Sequence, residues 1–348
     1  MASKMLAIQP GSSFSTADVY RGIVLALCDQ GQHVIHYPLD RAMSLGLEYC
    51  RLLKKRGYVQ DLDAAGVQYI AGVFALDRAL HHDVEWVLVF SAMFFHIDFL
   101  VKLKFAGRKV ALVLTESPYD EEQERQRAHF ADVVFTNERT TAARLAKLHP
   151  DVHYLPHAYD PNQHRPEPVD DEPEVLAHDV VFVGTGWPER IKLLAGVNWE
   201  GIDLGLYGNW GKVGKQSPLR PFISEGPIPN TTTAALYRHA KIGLNLYRYG
   251  EGAESLNPRA YELAASGLFH LSDDRLEVGE VFGNLVPTFV TAADLEAQLR
   301  HYLAHEDERQ AIAAQLPGAV RGAEFAARAR VVAERLGALS TRKEGLPV

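Results

Sequence analysis

The sequence predicts an α/β protein with two doubly wound parallel sheets joined by a linker. Apolar runs of strand length alternate with helix-like stretches along the chain. This alternation breaks once, at an acidic segment rich in proline, and then restarts. A chain of 348 residues is also too long for one ordinary core and suits two domains of this class.

The first half contains the clearest alternation. Strands buried on both faces of a parallel sheet should be continuously apolar, as residues 110–114 are. We predict strands at residues 5–9, 33–37, 86–90, 109–115, 133–136 and 152–155, and helices at residues 17–30, 45–56 and 140–148.

The break lies at residues 160–173, where four prolines stand among acidic residues and indicate an exposed connector. Beyond it we predict strands at residues 179–184, 202–207, 242–246 and 268–271, followed by terminal helices over about 292–339. The predicted domains are therefore residues 1–160 and 176–348, with a linker at 161–175.

Composition and charge disfavour several classes of protein. The formal net charge is −8 and the basic residues are dispersed, which disfavours a main affinity for the nucleic-acid backbone. The sequence contains no run of 18 apolar residues, so we predict no membrane span, and its start lacks a long signal-peptide core. Both cysteines, Cys28 and Cys50, lie in helix-like sequence, so we expect no structural disulfide framework. A protein without disulfides fits a reducing cytoplasm. His81, His82 and Asp83 could suggest a metal, but no further cluster with zinc spacing supports it, and we predict no structural metal.

The most informative stretch runs from Gly226 to Asp274. Asn257 is a good N-cap and Pro258 suits the first helical position, so a helix should begin there and end before Gly267. A helix start presents unpaired N–H groups and a positive dipole end, against which a diphosphate docks readily.

Two glutamates accompany this helix start. Glu262, about one turn inside, can accept hydrogen bonds from a ribose diol, and Glu254 in the preceding loop can hold sugar hydroxyls. Ser255, Leu256 and Arg259 adjoin the same helix start. The alternative interpretation is an ordinary cap followed by a surface glutamate.

A glycine turn after the strand at 179–184 is the second candidate. Gly184 and Gly186 allow close backbone approach, and Arg190 or Lys192 could neutralise a departing diphosphate. A dinucleotide fingerprint would need glycine or alanine at position 189, so Glu189 disfavours an NAD site. A solvated helix charge is the alternative for Arg190.

Polar strand ends supply weaker candidates. In the second half they are Tyr207, Gly208 and Asn209. In the first half they are Gly11, Ser12 and Ser13 after the opening strand, His96 after the third, and Glu116 and Tyr119 after the fourth. Glu116 is placed to be an acceptor ligand or general base. All of these residues could instead be caps and turns.

The stretch from Gly226 to Asp274 resembles the donor site of GT-B glycosyltransferases. Seven residues separate Glu254 from Glu262, as between the paired glutamates of retaining, glycogen-synthase-like members. The sequence of residues 255–267 looks most like that of CgeB-type glycosyltransferases. The resemblance extends to residues 116–119, 179–186 and 302–305. The residues that match the pattern of the family are Asn257, Arg259 and Glu262. The acidic residue that opens this loop in relatives matches either Glu254 or Glu251.

The resemblance implies two Rossmann-like domains facing across a cleft, the first for the acceptor and the second for a nucleotide-sugar. It implies metal-independent, retaining transfer from a nucleoside-diphosphate sugar, with a UDP-sugar favoured, to a hydroxyl acceptor and without a further cofactor. Glu116, Arg190 and Glu254 would be catalytic, and backbone groups near Ile228 would hold the base. If the reaction inverts, a base such as Glu116 becomes necessary.

Three other functions stay open at this point. One is a DNA-modifying glycosyltransferase of the same fold, although the acidic composition does not favour duplex DNA as a partner. The second is a nucleotide-sugar epimerase. The third is a non-catalytic surface or assembly protein that keeps the fold.

Overall fold

The computed structural model describes residues 4–11, 16–58, 63–224, 226, 228–248, 250 and 252–341. They form two compact units, each with one all-parallel sheet covered by helices. The first unit contains the described residues up to Pro156 together with those from Phe325, and the second contains His157–Glu324. The predicted fold class is confirmed.

The first unit has a six-stranded sheet of order β2-β1-β3-β4-β5-β6. Its strands are β1 (Lys4–Ile8), β2 (His33–Tyr37), β3 (Trp86–Phe90), β4 (Lys109–Leu114), β5 (Val133–Thr136) and β6 (Val152–Tyr154). Its helices are α1 (Ala17–Asp29), α2 (Leu39–Lys55), α3 (Ala64–His81), α4 (Asp98–Phe105), α5 (Glu121–Ala128), α6 (Arg139–Leu145) and, at the end of the chain, α14 (Phe325–Thr341).

Both faces of this sheet are buried, which explains the continuous apolar runs. Leu112 and Leu114 of β4 belong to one core cluster, whereas Val113 belongs to the cluster on the other face. Side chains alternate across a strand, so a strand covered on both faces must be apolar at every position.

The last helix, α14, packs on the first unit. Ala329, Val332 and Leu336 are fully buried in the same cluster as α1, and Trp86 Nε1 donates to Ser340 Oγ at 3.0 Å. The predicted domain 176–348 differs here, because the apolar stripe of α14 is buried against α1 and not within the second unit.

The second unit has a five-stranded sheet of order β11-β10-β9-β7-β8. Its strands are β7 (Val180–Val183), β8 (Leu204–Tyr207), β9 (Ile242–Asn245), β10 (His270–Asp273) and β11 (Thr288–Phe289). Its helices are α7 (Pro188–Ala195), α8 (Asn230–His239), α9 (Pro258–Ala265), α10 (Leu276–Phe282), α11 (Ala292–Ala304), α12 (Glu306–Ala313) and α13 (Leu316–Ala319), with a 3-10 turn at Arg220–Phe222.

The segment predicted as an exposed linker, residues 161–175, lies within the second unit. Arg238 of α8 forms an ion pair with Glu172 and donates to the carbonyl of Gln163 at 2.7 Å. His164 is only 2% exposed. The segment differs from the prediction because one arginine, distant in sequence, binds it to α8.

The helices have ordinary lengths for a globular protein. α3 has 18 residues and includes Asp77 and Arg78. Within the ranges that the structure describes, no helix combines the length and the apolar character needed to cross a membrane.

Candidate functional site

The strand order of the second sheet reverses at β7, which pairs with β8 on one side and with β9 on the other. The loops that follow β7 and β9 therefore diverge at the carboxyl edge of the sheet. Open α/β sheets bind ligands in the crevice at such a switch point. Residues 184–186 follow β7 here, and residues 246–247 follow β9.

Arg190 joins these two loops. Its guanidinium donates to the carbonyls of Leu246 at 2.6 Å, Thr185 at 2.9 Å and Tyr247 at 3.4 Å. The residue is 8% exposed. The planar fork of an arginine suits several fixed acceptors, and Arg190 thus holds the crevice walls together while contributing its positive charge.

The turn after β7 packs backbone to backbone against the turn after β8. The amide of Gly184 donates to the carbonyl of Tyr207 at 2.8 Å, and that of Gly186 donates to Asn209 at 2.9 Å. Gly208 has a φ of +108°, and a Cβ added there would lie 2.5 Å from the carbonyl oxygen of Gly184. Only glycine fits this position without displacing backbone.

We expect Gly208→Ala to destabilise the protein by about 2–4 kcal/mol, because it combines a disfavoured φ with overlap against backbone. Chemical unfolding of both proteins measures the change. Gly214→Ala is the matched control, since a Cβ there meets no atom within 4 Å. Equal stability of the Gly208 and Gly214 variants would contradict the packing described.

The helix start predicted at Asn257 is confirmed. Asn257 Oδ1 accepts the amide of Ala260 at 3.0 Å, and Pro258 occupies the first helical position of α9. Ser255 and Leu256, just before the cap, are buried, and the carboxylate of Glu277 accepts the amide of Leu256. The backbone entering α9 is therefore fixed on its protein side.

Arg259 and Glu262 extend from one face of α9. The guanidinium of Arg259 lies 4.9 Å from the centre of the Phe182 ring, and its Nη2 would be 2.8 Å from a Cβ at Gly184. Burial raises the pKa of Tyr237, and the nearby charges of Arg259 and Glu262 act on the same phenol. The Glu262 side chain is half-buried and makes no hydrogen bond or ion pair among the described residues.

Glu254 lies in the loop before α9. Its side chain is half-buried, and its carbonyl accepts the amide of Glu277 at 3.2 Å. Ile228 packs against the core cluster that contains Tyr207 and Tyr237, beside the face of α9 that carries Leu263. Both predicted residues thus belong to the surroundings of α9.

Other predicted residues do not join this group. The hydroxyl of Tyr207 lies 2.8 Å from Nε2 of His178, a residue that precedes β7 at the opposite edge of the sheet. Lys192 is exposed on α7, and exposed Asn209 accepts the amide of Gly211 through its side chain.

Sequence reasoning included the tryptophan that ends the glycine turn but missed two cations beside it. The ring of Trp187 lies 4.8 Å from Lys212 Nζ and 4.7 Å from the guanidinium carbon of Arg248. The signal available in the sequence was the tryptophan directly after the glycine turn, but the cations come from distant loops.

Asp273, at the end of β10, was also missed. Its two carboxylate oxygens each lie 3.0 Å from the amide of Tyr247, and burial raises the pKa of Asp273 to about 6. The ring of Tyr247 lies 4.7 Å from the guanidinium carbon of Arg275. Asp273 therefore holds the loop after β9 through the amide of Tyr247, whereas Arg190 binds carbonyls of the same loop.

The candidates of the first unit follow β1, β3 and β4 at one edge of their own sheet. Gly11 has a φ of +121°, while Ser12 and Ser13 lie outside the described residues. His96 Nδ1 accepts the amide of Asp98 at 3.3 Å. The half-buried Glu116 accepts the amide of Tyr119 at 2.7 Å through its carbonyl, and Tyr119 is 37% exposed.

The switch point of the first sheet has features that the sequence did not indicate. Ser91 and Ala92, directly after β3, have φ values of +62° and +61°, which non-glycine residues rarely adopt. The Ser91 hydroxyl is buried and has no hydrogen-bond partner in the part of the chain that the structure describes. Such strain concentrates at functional sites.

A buried carboxyl group lies on α5, the helix that follows β4. Glu124 of α5 is 2% exposed, and Ser117 Oγ donates to its Oε2 at 2.6 Å while lying 2.7 Å from Thr136 Oγ1. Burial raises the pKa of Glu124 to about 8, with further contributions from the charges of Asp120 and Glu116.

Comparison with known proteins agrees with this architecture. Residues 167–335 match the family described as glycosyl transferase-like. Sucrose-phosphate synthase from Thermosynechococcus elongatus is similar in structure, with a TM-score of 0.69, 11% identity and coverage of 97% of this chain and 99% of that protein. Anabaena HepE in complex with UDP has a TM-score of 0.63, 12% identity and coverage of 97% and 100%.

A UDP-N-acetylglucosamine 2-epimerase is also similar, with a TM-score of 0.59, 14% identity and coverage of 99% and 98%. No curated protein matches the sequence. At these identities the structural likeness establishes the fold, which is GT-B.

Proposed function

We propose that this chain of GT-B fold, whose residues 167–335 match the family described as glycosyl transferase-like, is a glycosyltransferase that moves a sugar from a nucleoside-diphosphate sugar to a hydroxyl acceptor. One observation supports the proposed position of the nucleotide-sugar. The capped start of α9, the Arg259 guanidinium beside Gly184 and the Glu262 carboxylate lie together at the switch point of the second sheet.

The diphosphate would rest against the start of α9. Backbone N–H groups at a helix N-terminus attract anions, and Gly184 and Gly186 keep the facing turn free of side chains. Arg259 supplies positive charge there, and Lys212 and Arg248 supply more around Trp187. Arg190 is then a positioning residue, since it holds the loops of the crevice through their carbonyls.

Glu262 would accept hydrogen bonds from the ribose diol, and Ile228 would lie near the base. Anabaena HepE, which shares this fold, forms a complex with UDP, and this supports a UDP-sugar as the favoured donor. Retention at the anomeric carbon is supported by the spacing of Glu254 and Glu262, with Glu254 holding sugar hydroxyls. If the product is inverted, Glu116 becomes the proposed base and Glu116→Gln should abolish transfer.

Metal-independent transfer is part of this proposal. Departure of the nucleoside diphosphate needs preorganised positive groups at the developing charge. The dipole of α9 and the guanidinium of Arg259 are such groups and belong to the chain itself.

A panel of UDP, GDP, dTDP and their sugars, scored by thermal shift, tests the donor site. Binding to the folded state alone stabilises by about 2.7 kcal/mol at a ligand concentration 100 times Kd, so the correct nucleotide should raise Tm by several degrees. If no nucleotide in the panel raises Tm, the donor proposal fails.

An epimerase is the second candidate, because an epimerase structure is similar over nearly the whole chain. Incubation with the nucleotide-sugar alone separates the two functions. An epimerase changes the sugar without any acceptor, whereas the transferase that we propose leaves its configuration unchanged.

A further inference from the structure

The corner between α11 and α12 brings three potential metal ligands together. His301 lies in the last turn of α11, His305 separates the two helices and Glu308 lies in the first turn of α12. One ligand atom from each lies within 4.8 Å of the other two, and all three residues are exposed. None of the residues assigned above to the nucleotide-sugar belongs to this group.

A hydrogen bond to backbone already orients the imidazole of His305. Nδ1 of His305 lies 2.7 Å from the carbonyl oxygen of His301, so its Nδ1–H is the donor and Nε2 keeps a lone pair. The two rings are stacked, with centroids 4.2 Å apart and planes 23° apart. A ligating histidine normally donates its second ring nitrogen to such an acceptor, which fixes both tautomer and orientation.

Glu308 completes the group. Its Oε2 lies 2.9 Å from Nε2 of His301. In a tetrahedral site with metal–ligand bonds of about 2.0–2.1 Å, ligand atoms are about 3.3 Å apart. The three ligand atoms lie within 4.8 Å of one another, so side-chain rotations must bring them to this spacing, and exposed side chains are able to rotate.

We propose that His301, His305 and Glu308 bind one divalent transition metal of the Zn²⁺ class, with water in the remaining position. Imidazole nitrogen and carboxylate oxygen are the ligands that Zn²⁺ takes in proteins. Glu306 and Asp307, in the same first turn of α12, add negative charge around the site. A nearby cation, Arg309, is buried, lies 3.8 Å from the carboxylate of Glu306 and donates to the carbonyl of Tyr302 at 2.6 Å.

The bound metal would join the last turn of α11 to the first turn of α12. α11 is anchored in the core of the second unit through fully buried Leu295 and Leu299. A metal that binds only the folded corner stabilises the fold by mass action. The predicted effect is therefore a metal-dependent rise in Tm.

Calorimetric titration of full-length protein, free of any affinity tag and stripped with chelator, tests the site with Zn²⁺ alone. We expect one site per chain and a rise in Tm. His301→Ala, His305→Gln and Glu308→Gln should each weaken the affinity about tenfold or more and remove the rise in Tm. His305→Gln retains a side-chain donor for the His301 carbonyl, which protects the helix corner.

His129→Ala is the control, because His129 is an exposed histidine of the first unit. Its affinity for Zn²⁺ should equal that of the unmodified protein. Absence of stoichiometric binding, or equal affinity in the His305→Gln and His129→Ala variants, overturns the proposal. Visible absorption of bound Co²⁺ reports the coordination: a weak octahedral spectrum that persists in the His305→Gln variant also overturns it.

Discussion

Glu262→Ala is expected to weaken nucleotide binding by about 10- to 100-fold while leaving the fold intact. A carboxylate that accepts from a ribose diol makes charged hydrogen bonds worth about 1.5–3 kcal/mol, and each 1.4 kcal/mol is tenfold in Kd. Stability should change little, because the Glu262 carboxylate makes no hydrogen bond or ion pair within the described residues. Isothermal titration with the nucleotide selected by thermal shift measures the loss.

Two further variants make this result specific. Glu334→Ala removes an exposed helical glutamate of the first unit and should leave the affinity unchanged. Glu262→Gln keeps one acceptor oxygen without the charge, so its affinity should fall between those of the unmodified protein and the alanine variant. Unchanged affinity in Glu262→Ala would place the ribose elsewhere.

The features that were predictable from the sequence are those determined locally. The strand predicted at residues 109–115 is observed at Lys109–Leu114, because burial on both faces imposes an apolar run whatever lies around it. The start of α9 was predictable for the same reason, since Asn257 and Pro258 satisfy it within one turn.

The features that were not predictable depend on contacts between distant residues. The Arg190 guanidinium binds carbonyls 56 and 57 residues further along the chain, so an apparent phosphate ligand is engaged with backbone. Lys212 and Arg248 reach Trp187 from separate loops. The stripe of α14 is equally compatible with either unit until the surface of α1 is known.

Glu124→Gln is expected to make the protein more stable than the unmodified chain at high pH. The pKa of Glu124 is about 8 in the folded state, against an ordinary value of 4.5, so between these values the folded state holds an extra proton. Stability is then lost as pH rises through this window, since the unfolded chain releases that proton more easily. Glutamine is neutral at every pH and keeps the acceptor for Ser117 Oγ.

The size of this effect follows from the shift. Each pKa unit corresponds to about 1.4 kcal/mol, so the variant should gain roughly 3–5 kcal/mol over the unmodified protein at about pH 9 and little at about pH 5. Urea unfolding across this range measures it. Glu122→Gln, on the exposed side of the same helix, should leave the slope unchanged.

Two other buried groups also make the stability of the fold depend on pH, but each acts in a pH range different from that of Glu124. Asp273, with its pKa raised to about 6, also costs stability as pH rises, so some slope must remain in the Glu124→Gln protein. Burial lowers the pKa of His270 to about 4, and its contribution is lost only as pH falls from about 6.5 towards 4. A Glu124→Gln protein whose stability still declines in parallel with the unmodified chain between about pH 7 and 9 would show that Glu124 is ionised in the fold.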